Sequence, residues 1–196
     1  MKSKAKPKRL VVAVTGASGS LYAQRLLNAL SGGGHEVHLA LSPYAQQVAR
    51  TELDGGLQVP EEPGFRVHGD KSMNVPFASG SALLDAMVVI PCSMGTVGRI
   101  AHGYADSVIT RAADVFLKEK RPLIVVPRET PWNLVQARNV VTLIEAGATV
   151  IPAMPSFYHR PASLEEMADT LVARVLDHLE IDHELTRRWM EPDSPE

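Results

Sequence analysis

The sequence predicts an α/β protein: a doubly wound, mostly parallel sheet sandwiched by helices. Three observations carry that expectation. Five short apolar runs, 10–15, 36–41, 86–91, 123–127 and 149–152, are rich in branched residues and flanked by Gly or Pro, the pattern of strands buried on both faces. Stretches with helical spacing alternate with them, at 21–30, 43–51, 97–101, 107–118, 134–146 and 163–180. Right-handed crossovers between parallel strands then bring the strands' carboxyl ends, and any ligand, to one edge of the sheet.

The first run, Leu10-Val11-Val12-Ala13-Val14-Thr15, leads into Gly16-Ala17-Ser18-Gly19-Ser20, and Leu21, Leu26, Leu27 and Leu30 then mark one side of a helix. Strand, small-residue turn and helix is the geometry that aims unpaired backbone N–H groups at an anion, so a phosphate is expected here. The plainer alternative is a strand-to-helix turn with a serine cap. A dinucleotide site would require G-x-G-x-x-G and an acid about 20 residues further on. This chain has only G-x-x-G, its second run ends in Ala40-Leu41-Ser42, and Glu36 stands at the wrong end of that run. A hydroxyl at Ser42 suits a nucleotide that lacks the ribose contact, and a flavin mononucleotide qualifies.

Segment 55–81 is rich in Gly, Pro and charge and has no period. It is expected to be a functional loop or a short extra hairpin. After Val89-Ile90-Pro91 comes Cys92-Ser93-Met94-Gly95-Thr96, a second small-residue turn at a strand's carboxyl end. Two hydroxyl-rich turns on one edge are expected to share a ligand cleft. Cys92 reads as a buried small residue rather than a nucleophile.

The next helix closes on Lys118-Glu119-Lys120-Arg121, and for Lys120 and Arg121 a solvated helix end complementing the dipole is expected. Arg128 and Glu129 follow the fourth run, between Pro127 and Pro131. Arg128 can clamp a phosphate and Glu129 can move a proton; the alternative is a surface ion pair. The last run opens a proline-stiffened loop in which Tyr158 presents a phenol, while Met154 and Phe157 are expected to pack on the core. The final helix starts at Ser163, with Glu166 placed for a capping box. Within it Arg174, amid Leu171, Val172, Val175 and Leu176, is either solvated or aimed at an anion.

Composition bounds the rest. With 196 residues, 45% hydrophobic, the chain suits one domain, 10–182, between a basic flexible tail, 1–9, and a polar tail, 183–196, expected to contact another subunit. Net charge of −2 argues against a nucleic-acid role for the whole surface. The lone Cys92 excludes an intrachain disulfide and fits a cytoplasmic location. No run is apolar and long enough for a secretory signal or a membrane span. The histidines lack metal-ligand spacing, no Asp-Asp-x-x-Asp cluster is present, and there is no G-x-S-x-G elbow, so neither a metal nor a hydrolase triad is expected.

Six motifs in order are informative together: Thr15-Gly16-Ala17-Ser18-Gly19, Pro91-Cys92-Ser93-Met94-Gly95-Thr96, Arg111-Ala112-Ala113-Asp114-Val115, Arg121-Pro122-Leu123, Val126-Pro127-Arg128-Glu129-Thr130-Pro131 and Phe157-Tyr158. In this combination the chain resembles the flavin prenyltransferases, the UbiX family, once described as aromatic-acid decarboxylases. The similarity runs from about Leu10 to Trp189. It implies a Rossmann-like or flavodoxin-like fold and a homododecamer with sites between subunits. It implies reduced FMN and dimethylallyl monophosphate as substrates, without a metal. The product would be prenylated FMN, with a new ring across N5 and C6, for a UbiD-type decarboxylase, often in ubiquinone biosynthesis.

By position, the resemblance assigns Gly16, Ala17, Ser18, Ser42, Ser93, Met94, Gly95, Thr96 and Arg128 to FMN. It assigns Lys118, Arg128, Tyr158 and Arg174 to the prenyl phosphate. Glu129 would carry a proton near the leaving phosphate, Glu52 would be an acid/base group near the flavin, and Ser18 would help move the N5 proton. Arg111 and Trp189 would lie near the site. Two other readings are an FMN-dependent decarboxylase of the related homo-oligomeric flavoprotein group and a non-catalytic flavin carrier. The decarboxylase would need a His on the first helix, and 21–30 has none.

Overall fold

The computed structural model describes residues 6–188. Their elements run β1 (Arg9–Val14), α1 (Ser20–Leu30), β2 (Glu36–Leu41), α2 (Pro43–Glu52), β3 (Phe65–Gly69), β4 (Ala86–Cys92), α3 (Met94–Ala101), α4 (Val108–Lys118), β5 (Leu123–Pro127), α5 (Leu134–Glu145), β6 (Thr149–Val150) and α6 (Leu164–His178). The sheet has six strands in the order β3-β2-β1-β4-β5-β6, and every pairing is parallel. The chain moves outward from β1 to β3, then returns to lay β4 on the other side of β1. That reversal is the switch point at which open α/β sheets bind ligands.

Alternation along the strands divides the core. Leu10, Val12 and Val14 face α1 and α6, where Leu26, Leu27, Leu30, Val172 and Leu176 cover them. Val11, Ala13, Met87 and Val89 face the other way, onto Val97, Ile109, Phe116 and Leu143. Both sets are essentially inaccessible to solvent, and each such Leu, Val, Ile, Met or Phe contributes about 1.5–3 kcal/mol by leaving water. The sheet edge that carries the site is therefore rigid from both sides.

Segment 55–81 is not a hairpin. Phe65–Gly69 adds a parallel edge strand to β2, and a short 3₁₀ turn at Pro76–Ala78 sinks Phe77 into the core. Arg66, His68 and an exposed Val67 hide this strand from an apolar-run search. His68 Nε2 lies 3.0 Å from Nδ1 of the buried His38, whose Nε2 lies 3.1 Å from Glu36. Phe77 packs against both rings.

Helix α3 begins three residues earlier than expected, because the Ser93 side chain caps it directly after β4. Strand β6 shrinks to two residues. At α6, Ser163 accepts from the Glu166 N–H, but the Glu166 carboxylate turns back to the Ala162 N–H, so the expected box stays open. Helices α1 and α6 are joined by a bidentate pair, Arg25 to Asp169, at 2.7 Å. No helix among the described residues is long and apolar enough to cross a membrane.

Candidate active site

The two small-residue turns stand side by side at the switch point, after β1 and after β4. Beside them the turn after β2 completes a cavity of about 380 Å³ lined by Thr15, Gly16, Ser42, Ser93, Thr96 and Ser107. Three helices start in its wall. Ser42 caps α2, Ser93 caps α3 and Ser107 caps α4, each accepting from the N–H three residues on. Their N-termini lend the cavity positive potential, reinforced by Lys71 and Arg99. Asp70 and Asp106 also border it, and Asp106 lies 3.4 Å from Arg99.

A phosphate-bearing flavin fits these donors. Among the described residues, no partner within the chain takes the N–H groups of Met94 or Gly95, the first two of α3. Gly16 is required sterically, since a Cβ there would lie 2.5 Å from the Tyr44 Cβ. Lys71, Arg99 and Ser107 escaped the sequence reading. Lys71 sits in the segment read as a loop, and Ser107 could have been found as the cap of the 107–118 helix.

The start of α1 is different from the expectation. The carboxylate of Glu52, the last residue of α2, accepts from the N–H groups of Gly19 at 2.9 Å and Ser20 at 2.7 Å. The donors that were expected to take a phosphate are filled by a side chain, because α2 ends where α1 begins. Burial works to raise the Glu52 carboxyl. Hydrogen bonds from the Ser18 hydroxyl and from the Ser20 and Gly19 N–H groups outweigh it and hold the carboxyl below its ordinary range. Ser18 and Glu52 thus form a hydroxyl–carboxylate couple at the start of α1, in the turn that follows β1.

Arg128 is tied to the second turn through its N–H, 3.1 Å from the Cys92 carbonyl. Its charge reaches Tyr22, whose phenol is pushed up by burial and drawn partly back by the guanidinium. Glu129 is exposed and accepts from the Thr130 N–H, so no Arg128–Glu129 ion pair forms. Cys92 is fully buried, which pushes its thiol far up and leaves no thiolate for nucleophilic attack.

A second cavity, about 650 Å³, opens beside α6 and is lined by Pro152, Tyr158, Arg174, Asp177 and His183. Arg174 reaches Asp177 at 2.8 Å while its side chain stays 63% exposed. Asp177 also meets Arg188 and His183. Burial raises its carboxyl, but Arg188 and then His183 bring it below the ordinary value. Met154 and Phe157 stand exposed rather than packed on the core, since the loop's prolines carry them outward.

Three basic residues are engaged by the chain itself, and for Arg121 this departs from expectation. Lys118 ends α4 and pairs with Glu119 beside Gly80, among the residues that enter β4 and β5. The 11 residues of α4 separate it from Ser107 by about 16 Å, so within one chain it lies at the opposite edge from the flavin turns. Arg121 is not solvated either: its guanidinium holds the carbonyls of Gly80 and Ala82. Arg111 similarly grips the Ala78 carbonyl and Asp114. His183, at the start of the terminal tail, folds onto Asp177, whereas Trp189 lies outside the described residues.

A model of the flavoprotein family matches residues 1–185. The flavin prenyltransferase UbiX of Methanothermobacter thermautotrophicus is 43% identical over 182 residues, covering 93% of this chain and 95% of its own. The crystal structure of AnUbiX (PadA1) in complex with FMN and dimethylallyl pyrophosphate superposes with a TM-score of 0.88 at 37% identity, covering 96% of this chain and 100% of that one. The dodecameric FMN-dependent UbiX-like decarboxylase from Escherichia coli O157:H7 gives 0.84 at 36% identity, over 93% and 100%. With a matching overall fold and this degree of identity along nearly its whole length, the chain belongs to the flavoprotein family and, within it, to the UbiX flavin prenyltransferases.

Proposed function

We propose that this protein joins a dimethylallyl group to N5 and C6 of reduced FMN, yielding prenylated FMN. The observation that carries the reading is the cavity at the β1/β4 switch point, where two hydroxyl-rich turns offer backbone donors beside the Ser18–Glu52 couple and Arg128. The flavin, when bound and reduced, supplies the electron-rich ring that takes the dimethylallyl group.

The chain's own residues bind and direct. Gly16, Ala17 and Ser18 with Ser42, Ser93, Met94, Gly95 and Thr96 would hold the flavin, Met94 and Gly95 through their uncommitted N–H groups and the serines and Thr96 through their hydroxyls. Arg128 bridges the flavin and the leaving phosphate of the second substrate. A preorganised donor at departing negative charge is worth roughly 3 kcal/mol of barrier. Tyr158 and Arg174 hold that phosphate from the α6 side. Glu52, ionised and braced by backbone donors, accepts a proton through the Ser18 hydroxyl. Glu129, exposed and without a cationic partner among the described residues, exchanges a proton with the leaving phosphate.

Lys118 belongs to this phosphate site only when supplied by a neighbouring copy, because its own helix carries it to the far edge. A homo-oligomer, a dodecamer as in the 36% identical relative, provides such neighbours. The product's consumer is a UbiD-type decarboxylase, and the cytoplasm is the compartment that suits a single reduced cysteine.

The test is incubation of the purified oligomer with reduced FMN and dimethylallyl monophosphate, without added metal, followed by mass spectrometry of the flavin. The expected result is FMN heavier by one dimethylallyl unit. FMN bound but unchanged in mass would favour the carrier reading and overturn the transferase.

A further inference from the structure

We propose that Thr15 is a positioning residue that sets the distance between the two flavin-holding turns; the proposal rests on the flavin prenyltransferase reading. The parallel ladder between β1 and β4 runs from Leu10↔Ala86 to Ala13↔Val89. It cannot continue regularly past that point, because Pro91 has no N–H to give. Thr15 replaces the ladder there. Its N–H and its hydroxyl both donate to the Pro91 carbonyl, at 3.2 and 2.9 Å. The same hydroxyl oxygen accepts from the Ser93 N–H at 2.8 Å. Thr15 is 3% exposed, and its hydroxyl has spent its one donor and one of its acceptor sites on the chain.

This arrangement decides which donors remain for a ligand. The Ser93 N–H is committed to Thr15, and the Thr96 N–H is committed to the Ser93 hydroxyl. The N–H groups of Met94 and Gly95 are left between them, with no partner in the chain among the described residues. The hydroxyl therefore fixes the pose of the α3 terminus relative to Gly16, the next residue after Thr15. A ligand that spans both turns feels that spacing to within about half an ångström. Thr15 touches the chain's turns and acts through them.

The experiment compares Thr15→Val, which keeps the shape and removes the hydroxyl, with Thr15→Ser, which keeps it. Both are measured as assembled oligomers by FMN titration, by the visible spectrum of bound FMN and by steady-state kinetics. Thr15→Val is expected to raise the FMN dissociation constant about tenfold, the effect of one buried N–H left unpaired and a misplaced turn. The KM for dimethylallyl monophosphate should move less than about twofold, and Thr15→Ser should restore FMN binding to within about threefold.

Two results overturn the proposal: Thr15→Val binding FMN like the wild type, whether or not the melting temperature of its flavin-free form falls; or Thr15→Ser losing as much as Thr15→Val. If Thr15→Val fails to fold, hydrogen exchange of the wild-type peptide containing Ser93 decides, since the proposal requires slow exchange without flavin and fast exchange sinks it. A wild-type protein that binds no FMN would overturn the parent reading as well. A wild type that binds and prenylates FMN, beside an indifferent Thr15→Val, overturns this inference alone.

Discussion

Glu52 and Glu129 show how two carboxylates of one chain come to differ. The Glu52 carboxylate, reaching from the end of α2 to the first turn of α1, is held below its ordinary range against burial by the Ser18 hydroxyl and the N–H groups of Ser20 and Gly19. Glu129 stands exposed past β5, and among the described residues only the neighbouring Thr130 N–H reaches its carboxylate. Glu129→Gln should therefore leave FMN affinity unchanged while slowing turnover by about a hundredfold, the low end of what a lost general acid–base group costs. Titration with FMN and the rate of prenylated FMN formation check this, and equal rates would remove Glu129 from the proton path. That an acid stood at 129, past a strand and between prolines, was legible in the sequence. That Glu52 fills the α1 terminus was not, because it requires knowing where α2 ends in space.

At the level of elements, the edge strand β3 matters more than its length suggests. It leads into Asp70 and Lys71 on the flavin cavity, and it is joined to β2 through the His38–His68 contact. Burial holds both imidazoles below their ordinary value. Glu36 partly opposes this at His38, while Arg9 and Arg66 add to it. A histidine kept neutral in the fold but free to protonate when unfolded makes stability fall as pH drops. The loss begins near the ordinary value of 6.5 and ends at the lower folded value. Each full proton of difference costs about 1.4 kcal/mol per pH unit. The melting temperature should thus decline from pH 7 to pH 5, and His68→Gln should flatten the decline. A slope equal to the wild type's would show that the pair does not titrate. Glu36, also held low, acts in a separate window below its ordinary 4.5. The strand itself escaped the sequence reading because an edge strand buries little, so its apolar signal is weak.

On one copy, Lys118 and Arg174 belong to helices that pack on opposite faces of the sheet, α4 on one and α6 on the other. Lys118 lies beside Gly80 at the amino ends of the strands, and Arg174 beside Tyr158 in the α6 cavity. If one phosphate needs both, they must come from different copies. Lys118→Ala and Arg174→Ala are then each expected to lose activity as pure oligomers, whereas oligomers reassembled from a mixture should regain part of it. Some mixed sites receive both native residues. Activity that stays lost in the mixture, with mixed assembly verified by native mass spectrometry, would mean that both residues act within one copy or not at all.

The sequence by itself determined five of the six strands, the alternation of elements and the two turns, because these depend on local patterns: apolar runs, glycines that permit close approach, and serines that cap. Tertiary structure alone decided which donors are already filled. Glu52 takes those of α1, Thr15 takes one of α3, and Arg121 is committed to residues 80–82. It also decided that Lys118 points away from its own flavin turns. The physical reason is the same in each case. A hydrogen bond or an ion pair depends on distance in space, and residues such as 15 and 93, or 20 and 52, become neighbours only after the sheet has formed.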